Sequence, residues 1–352
     1  MTNAIRLCST EEDYNSWDQY LYDSLGTHYF QTYGWLKSYE SLGFKSHIFI
    51  HEVDGRIIGG VGILNVRLPF LPWSIVIIPH GPLPADPAAS SWILLMQELD
   101  KFCWQHQAIY AQLYPHEFTE KSVLLREIEE LGFTEPAMFG SHRFSSTPVT
   151  IDLRGKTEED IISSFRKNTR YYIRRALTGQ LMVRTAVNPT VFDKIHALFL
   201  EHGELMGFKP RPYHSLKDAW DWFAPRGMAT FIQAWHNETL VGAILLIFTG
   251  KTAYYVAGAT KRDCVKDFPG ELMHWHAIRQ AMERRMATYD FTSVGTAGVA
   301  QFKAGFRPLC RSWHEPRTKV YRPVLAYLIS FTERSLRPLM RRVVRYWASS
   351  RA

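Results

Sequence analysis

The chain has 352 residues, 46% hydrophobic and 14% aromatic, too long for one ordinary domain and too apolar to be disordered. Its formal charge of +7 is uneven: from Thr292 onward there are twelve Lys/Arg and two acids (Glu315 and Glu333), 12 − 2 = +10, leaving 7 − 10 = −3 for the first 291 residues. Such a basic end points to a polyanionic partner: nucleic acid, a phosphorylated substrate or an anionic membrane. Cys8, Cys103, Cys264 and Cys310 are scattered without a CxxC pair, which argues against a zinc ribbon or a disulfide framework. The opening MTNAIRLCSTEEDYNSW lacks the basic-then-apolar order of a signal peptide. The longest apolar runs, such as Val241 to Phe248, are too short to span a bilayer. A reduced, cytoplasmic, soluble protein is expected.

Ile5 to Leu7 reads as an opening strand, and Glu11 to Ser24 has helical spacing through Tyr14, Trp17 and Leu21. Tyr33 to Leu42 reads as a second short helix, stopped by Gly43. In residues 47–64 two apolar runs flank Asp54-Gly55, a hairpin signal. Trp73 to Pro79 is a further strand, Ala88 to Gln107 a helix, Ile109 to Leu113 a strand and Ser122 to Leu131 a helix.

This order recurs. Ala229 to Phe248 repeats the hairpin, with Asn237 to Ala243 aligned on Asp54 to Gly60. Ala253 to Ala257 repeats the Trp73 strand, Gly270 to Met286 the Ala88 helix, and Tyr289 to Phe291 the strand at Tyr110 to Gln112, at an offset of about 180 residues. A glycine after each hairpin turn suggests a bulge or close backbone approach. The expected fold is therefore α/β with mixed sheets, two tandem copies of one unit: residues 1–150, residues 151–322, and a basic helical tail at 323–352.

Thr157 to Gly179 joins the copies as a helix, with a capping box at Thr157 and Asp160 and a buried stripe of Ile161, Phe165, Ile173 and Leu177. Arg166, Arg170 and Arg174 recur every four residues on one face, widened by Lys167 and Arg175. With no acid between them, these like charges each cost roughly 0.2–0.5 kcal/mol per pair, which a polyanion would relieve. The tail, rich in Arg and carrying Trp347, suits packing on the first copy, an anionic membrane surface or RNA.

Tyr289 to Pro308, YDFTSVGTAGVAQFKAGFRP, runs from a short strand through a Gly/Ser/Thr loop to Phe302-Lys303. A lysine beside an aromatic after such a loop suits an anionic or acyl ligand. The first copy has Tyr114-Pro115-His116 at the corresponding place and no Phe-Lys pair. GxxxxGK[ST], GxSxG, HExxH and a strand-to-helix GxGxxG are absent from the sequence. His274 and His276 stand at i and i+2, facing different ways on a helix, so no metal pair is expected there.

Taken together, Phe30-Gln31-Thr32 to Lys37, VDGRIIGG, His80 to Leu83, Thr147 to Ile161, Phe165 to Ala176, Ala253 to Thr260 and Tyr289 to Phe306 resemble the FemAB family in order and spacing. These are aminoacyl-tRNA-dependent peptidyltransferases that build peptidoglycan branches and bridges. The resemblance implies two N-acetyltransferase-like (GNAT-like) domains and transfer of an amino acid from a tRNA ester to an amine of a muropeptide precursor, UDP-linked or lipid-linked. It implies that Lys37 and Arg211 hold the precursor phosphates, that Tyr213 and Tyr255 line that groove, and that Phe302 and Lys303 meet the aminoacylated tRNA end. The tRNA backbone would lie along Arg166, Lys167, Arg170, Arg174 and Arg175, and the 334–351 tail would touch an anionic membrane from the cytoplasmic side. No metal and no cofactor beyond the aminoacyl-tRNA co-substrate is expected. Arg307-Pro308 and the Thr-Ser after YDF depart from the family pattern, and no sustained heptads mark a coiled-coil arm. The alternatives are a GNAT-like N-acyltransferase taking an acyl-CoA or acyl-carrier thioester to a cell-envelope or polysaccharide-related amine, and a non-enzymatic RNA- or membrane-binding protein.

Overall fold

The computed structural model describes residues 3–25, 27–84, 91–115, 128–136, 148–310 and 315–331. The chain divides into two compact units: Met1–Ser9, Gly43–Ser145 and His314–Ala352 form the first, Thr10–Leu42 and Ser146–Trp313 the second.

The first unit holds β1 (Asn3–Leu7), β2 (Lys45–Val53), β3 (Arg56–Arg67), β4 (Ser74–Pro79), β5 (Leu83–Pro84), β6 (Ala108–Tyr114), β7 (Glu135–Pro136) and β15 (Arg317–Val320). They run in the order β1-β2-β3-β4-β6-β15-β7, with β5 beside β3. Asp54 and Gly55, at φ 49° and 75°, supply the two left-handed residues of a tight β2–β3 turn. The helix α3 (Ser91–Gln105) sets Leu95, Leu99 and Phe102 into a core with Val61, Ile63, Val76, Ile78 and Leu113.

The second unit holds β8 (Val149–Asp152), β9 (Leu181–Arg184), β10 (Ala229–His236), β11 (Thr239–Thr249), β12 (Thr252–Thr260), β13 (Thr288–Asp290) and β14 (Leu309–Cys310), in the order β14-β8-β13-β12-β11-β10-β9. Its helices are α1 (Glu11–Asp23), α2 (Tyr33–Lys37), α4 (Glu158–Ser164), α5 (Lys167–Leu177), α6 (Pro189–Met206), α7 (Tyr213–Phe223), α8 (Pro269–Glu283) and α9 (Ala297–Ala304). The core gathers Phe165, Ile173, Ile244, Leu246, Met273, Ile278, Tyr289, Phe291 and Phe306.

The duplication extends to a backbone irregularity. In the β2–β3 ladder the register slips between His51 and Glu52, opposite Gly59 and Ile57. In the β10–β11 ladder it slips between Ala234 and Trp235, opposite Gly242 and Leu240. Both hairpins thus carry one extra residue just before the aligned glycine. At Gly242 the close approach is literal: a Cβ would lie 2.7 Å from Met273 Cε.

Three expectations need correction. The 1–150 and 151–322 boundaries do not hold. Residues 10–42 belong with the second unit because Asp18 accepts the Tyr33 N–H (2.6 Å) and the Trp222 indole N–H (2.7 Å), while the Tyr254 hydroxyl donates to Thr27 O (3.0 Å). The chain returns to the first unit at β15, which pairs antiparallel with β6. The joining helix is two: Phe165 and Arg166 leave helical geometry between α4 and α5, Leu177 is exposed, and the carbonyls freed at the end of α4 take the Arg170 guanidinium. Tyr33 to Leu42 likewise breaks after Lys37 into a 3₁₀ turn at Glu40–Leu42. The expected helix at Ser122 to Leu131 lies largely outside the described residues, as does the tail beyond 331.

Candidate active site

The two copies differ where β12 meets β13. In the first unit β4 and β6 stay paired from Ser74–Ala108 to Pro79–Tyr114. In the second, β12 and β13 pair only at Thr252–Thr288, Ala253–Tyr289 and Tyr254–Asp290. Strand β12 continues to Thr260 on β11, whereas β13 stops, so the strands part at Tyr254 and Asp290. Thr292, at φ 61°, turns the chain away there, and its hydroxyl donates to Tyr255 O (2.8 Å). The Asp290 carboxylate stabilises the turn by accepting the N–H groups of Val149 (3.1 Å) and Thr292 (2.7 Å). Burial raises its pKa to about 6 against those hydrogen bonds and the charge of Lys303.

The expected loop beyond β13 is partly helix. Phe302 and Lys303 sit on α9, which Gly305 closes; a Cβ there would fall onto the Thr169 hydroxyl of α5, so glycine permits the approach. Phe306 then packs against Phe165, ring centroids 5.1 Å apart. This packing turns Lys303 inward. The residue is only 4% exposed, and its ammonium donates to Phe291 O (3.0 Å) and Ser293 O (2.6 Å), lying 5.4 Å from the centre of the Tyr255 ring. Two of three N–H bonds are thereby spent on carbonyls, and one remains. Burial lowers its pKa to about 8, partly offset by Asp290.

Lys303 lines two cavities. One, of about 270 Å³, is bounded by apolar and aromatic groups including Met206, Ile244, Tyr255, Met273, Val299 and Phe302, together with His274. The other, of about 410 Å³, is bounded by Val149, Val294, Ala300, Pro308 and Cys310 and carries Arg166 and Arg307. An ammonium held by two carbonyls between an apolar and a basic space suits an oxyanion formed on a substrate with a neutral acyl part and an anionic remainder.

The other expected residues divide into groups. Tyr255 belongs to the Lys303 cavity, its hydroxyl pushed up to about 12 by burial. Lys37, Arg211 and Tyr213 lie on α2 and around the start of α7. The Arg211 guanidinium stacks over Trp35 (4.0 Å) and Tyr39 (4.5 Å) and donates to the hydroxyls of Ser215 (2.7 Å) and Ser38. Lys37 lies 5.5 Å from the centre of the Tyr33 ring, and the Tyr213 hydroxyl donates to Asp193 (2.7 Å). Of the basic set, Arg166 is the N-cap of α5, and Lys167, Arg174 and Arg175 are exposed along it. Arg170 is half-buried and donates to Ser163 O (3.0 Å) and Phe165 O (2.5 Å), a capping role for α4. His274 and Asp290 were not singled out as site residues by sequence reading, although His274 lines the cavity and Asp290 closes the fork beside it. His276 does point elsewhere, half-buried on another face of α8.

Residues 163–304 match the family model described as an acetyltransferase (GNAT) domain, and the two mixed sheets are those of a tandem GNAT-like fold. The chain shares the tandem architecture of FemX, with a TM-score of 0.81 at 15% identity over 92% of this chain and 100% of that one, which bears out the FemAB resemblance at the level of fold. A tandem GNAT protein from the clavulanic acid biosynthesis pathway aligns at a TM-score of 0.53 and 9% identity over 90% of this chain and 98% of its own. The C-terminal domain of an Agrobacterium fabrum protein assigned as a lysylphosphatidylglycerol synthetase aligns at 0.52 and 12% identity, over 78% and 85%. No curated protein matches the chain by sequence. Among the described residues no helix is long and apolar enough to cross a membrane.

Proposed function

We propose that the protein transfers an amino acid from an aminoacyl-tRNA to an amine of a phosphorylated muropeptide precursor. The observation that carries this reading is the buried Lys303 ammonium lining both an apolar and a basic cavity. The acceptor amine attacks the ester carbonyl, a C–N bond forms, and the carbonyl oxygen takes negative charge. The remaining Lys303 N–H stabilises that charge, and collapse breaks the ester C–O bond. The proton released by the amine goes to the departing ribose oxygen, so no covalent enzyme intermediate is needed; much of the rate comes from holding amine and ester together. Arg166 and Arg307 receive phosphates at the tRNA end, Phe302 packs against that end, and Lys167, Arg174 and Arg175 continue the basic track. Lys37 and Arg211, with Tyr213 beside them, hold the precursor phosphates. The 334–351 tail brings the protein to an anionic membrane at the cytoplasmic face.

An acyl-CoA donor would seat its diphosphate at a helix start, and the start of α8 suits one poorly. Pro269 at its first position has no N–H, a Cβ on Gly270 would sit 3.3 Å from the Phe302 ring, and Glu271 places a carboxylate in the first turn. The test is to incubate the purified protein with labelled aminoacyl-tRNA and either a UDP-linked muropeptide or a lipid-linked one in anionic vesicles. Label in the muropeptide is the expected result. No transfer from tRNA, together with transfer from an acyl-CoA, would overturn the reading.

A further inference from the structure

His274 and Tyr289 make a buried polar pair in the wall of the apolar cavity. The Tyr289 hydroxyl lies 2.7 Å from His274 Nδ1, and Tyr289 is fully buried. Two proton arrangements satisfy that contact, and they are not equivalent. If Nδ1 carried the ring proton, the tyrosine oxygen would accept it and its own proton would be buried without an acceptor among the described residues, at about 1–3 kcal/mol. If the tyrosine donates, Nδ1 accepts, the buried hydroxyl proton is placed, and the ring N–H is left to the cavity that His274 lines. The second arrangement puts the single ring proton on Nε2.

The imidazole is packed in position by aromatic rings. Tyr255 lies 4.7 Å away, Phe291 5.0 Å, Phe302 5.4 Å and Phe306 5.7 Å between ring centroids. Nδ1 is taken by Tyr289, which leaves the Nε2 edge as the polar part of the ring available to the cavity shared with Lys303. Burial, reinforced by the Lys303 charge, lowers the His274 pKa to about 3. The ring is therefore neutral near neutral pH, a weak base but a serviceable donor.

We propose that His274 Nε2–H is a second hydrogen-bond donor to the carbonyl oxygen stabilised by Lys303, with Tyr289 as the positioning residue that fixes the donating tautomer. A carbonyl oxygen that becomes an alkoxide has lone pairs for both donors. The inference rests on the acyl-transfer reading of this site but not on which acyl donor is used.

Two measurements test it. In ¹⁵N NMR of histidine-labelled protein, with His274 assigned by its loss in His274→Gln, the ring should be neutral and protonated on Nε2 from about pH 6 to about pH 9; the Nδ1–H tautomer or a cationic ring would overturn the proposal. This readout is blind to the acyl donor, so a wild-type enzyme that ignores aminoacyl-tRNA defeats the functional reading and leaves the tautomer result standing. In kinetics with whichever donor the wild type accepts, His274→Phe should lose about 10²-fold in kcat with KM little changed. His274→Gln, which keeps an N–H, should lose less, and Tyr289→Phe should lower kcat while shifting His274 toward a mixture of tautomers. Wild-type kcat in His274→Phe overturns the proposal. If His274→Phe does not fold, as judged by circular dichroism, Tyr289→Phe decides: wild-type kcat with an unshifted tautomer rules the pair out.

Discussion

Replacing Lys303 by Met should leave the protein no more stable at pH 7, and at most about 3 kcal/mol less so, and nearly inactive. Methionine keeps most of the stem and removes the charge. Burial lowers the Lys303 pKa from 10.5 to about 8, with Asp290 opposing. At about 1.4 kcal/mol per pH unit, that gap means the native state carries about 3 kcal/mol of penalty for holding the ammonium. Below about pH 8 both folded and unfolded lysine are protonated and the penalty is full. Between about pH 8 and pH 10.5 the folded amine releases its proton first, so wild-type stability rises with pH across that window. Methionine abolishes the penalty and also the two bonds to Phe291 O and Ser293 O, worth about 1.5–3 kcal/mol each as charged hydrogen bonds. Together the two bonds are worth about 3–6 kcal/mol, which matches or exceeds the penalty removed, so the net should fall between no change and about 3 kcal/mol of destabilisation. Loss of the oxyanion partner should lower kcat by about 10²–10³, equivalent to about 3–4 kcal/mol. The assay is urea unfolding of both proteins at pH 7 and about pH 10, alongside steady-state kinetics. The wild type should gain on Lys303→Met at the higher pH, and its own kcat should decline above about pH 8. Either a variant within tenfold of wild-type kcat or one stabilised by more than about 2 kcal/mol at pH 7 would refute the reasoning.

Asp290→Asn removes the carboxylate that favours the Lys303 ammonium, so the alkaline limb of the kcat–pH profile should move to lower pH; an unmoved limb would separate the two residues. The native Asp290 pKa is raised from 3.8 to about 6, so its contribution to stability is greatest below about pH 4 and is lost as pH rises through about 6. Urea titrations of Asp290→Asn should lack that decline. The arginines of α5 should separate by role. Arg174→Ala with Arg175→Ala should weaken tRNA binding, reduce its salt slope by up to about two and leave stability unchanged. Arg170→Ala should instead lower stability by about 1–3 kcal/mol in urea titration, because it strips two carbonyls of their donor. Equal stability losses in both variants would remove the distinction.

The duplicated unit was legible because its signals are local. Asp54-Gly55 and Asn237 announce turns, strand and helix periods mark the flanking segments, and the aligned Gly59 and Gly242 mark a bulge that both ladders contain. The break inside Thr157 to Gly179 was not legible. Its apolar spacing continues across Phe165, and only the tertiary placement of Gly305 O against the Arg166 N–H and of Arg170 against the α4 carbonyls explains it. The unit boundaries were hidden for the same reason: Asp18 finds Trp222 across 204 positions, which no local pattern encodes.

The sequence by itself determined most of the elements and the duplication and singled out Lys303 as a candidate, because turn chemistry, hydrophobic period and a divergent Phe-Lys pair are properties of neighbouring residues. Tertiary structure alone decided what Lys303 is. It ends β13 early beside a continuing β12, folds α9 inward, and burns two of the lysine's three hydrogen bonds on backbone carbonyls. It also brings His274, from the middle of α8, to the same cavity with its Nδ1 occupied by Tyr289. Charge in water carries little information, whereas burial makes each remaining N–H directional. That burial arises only when strands and helices distant in the chain close around the site.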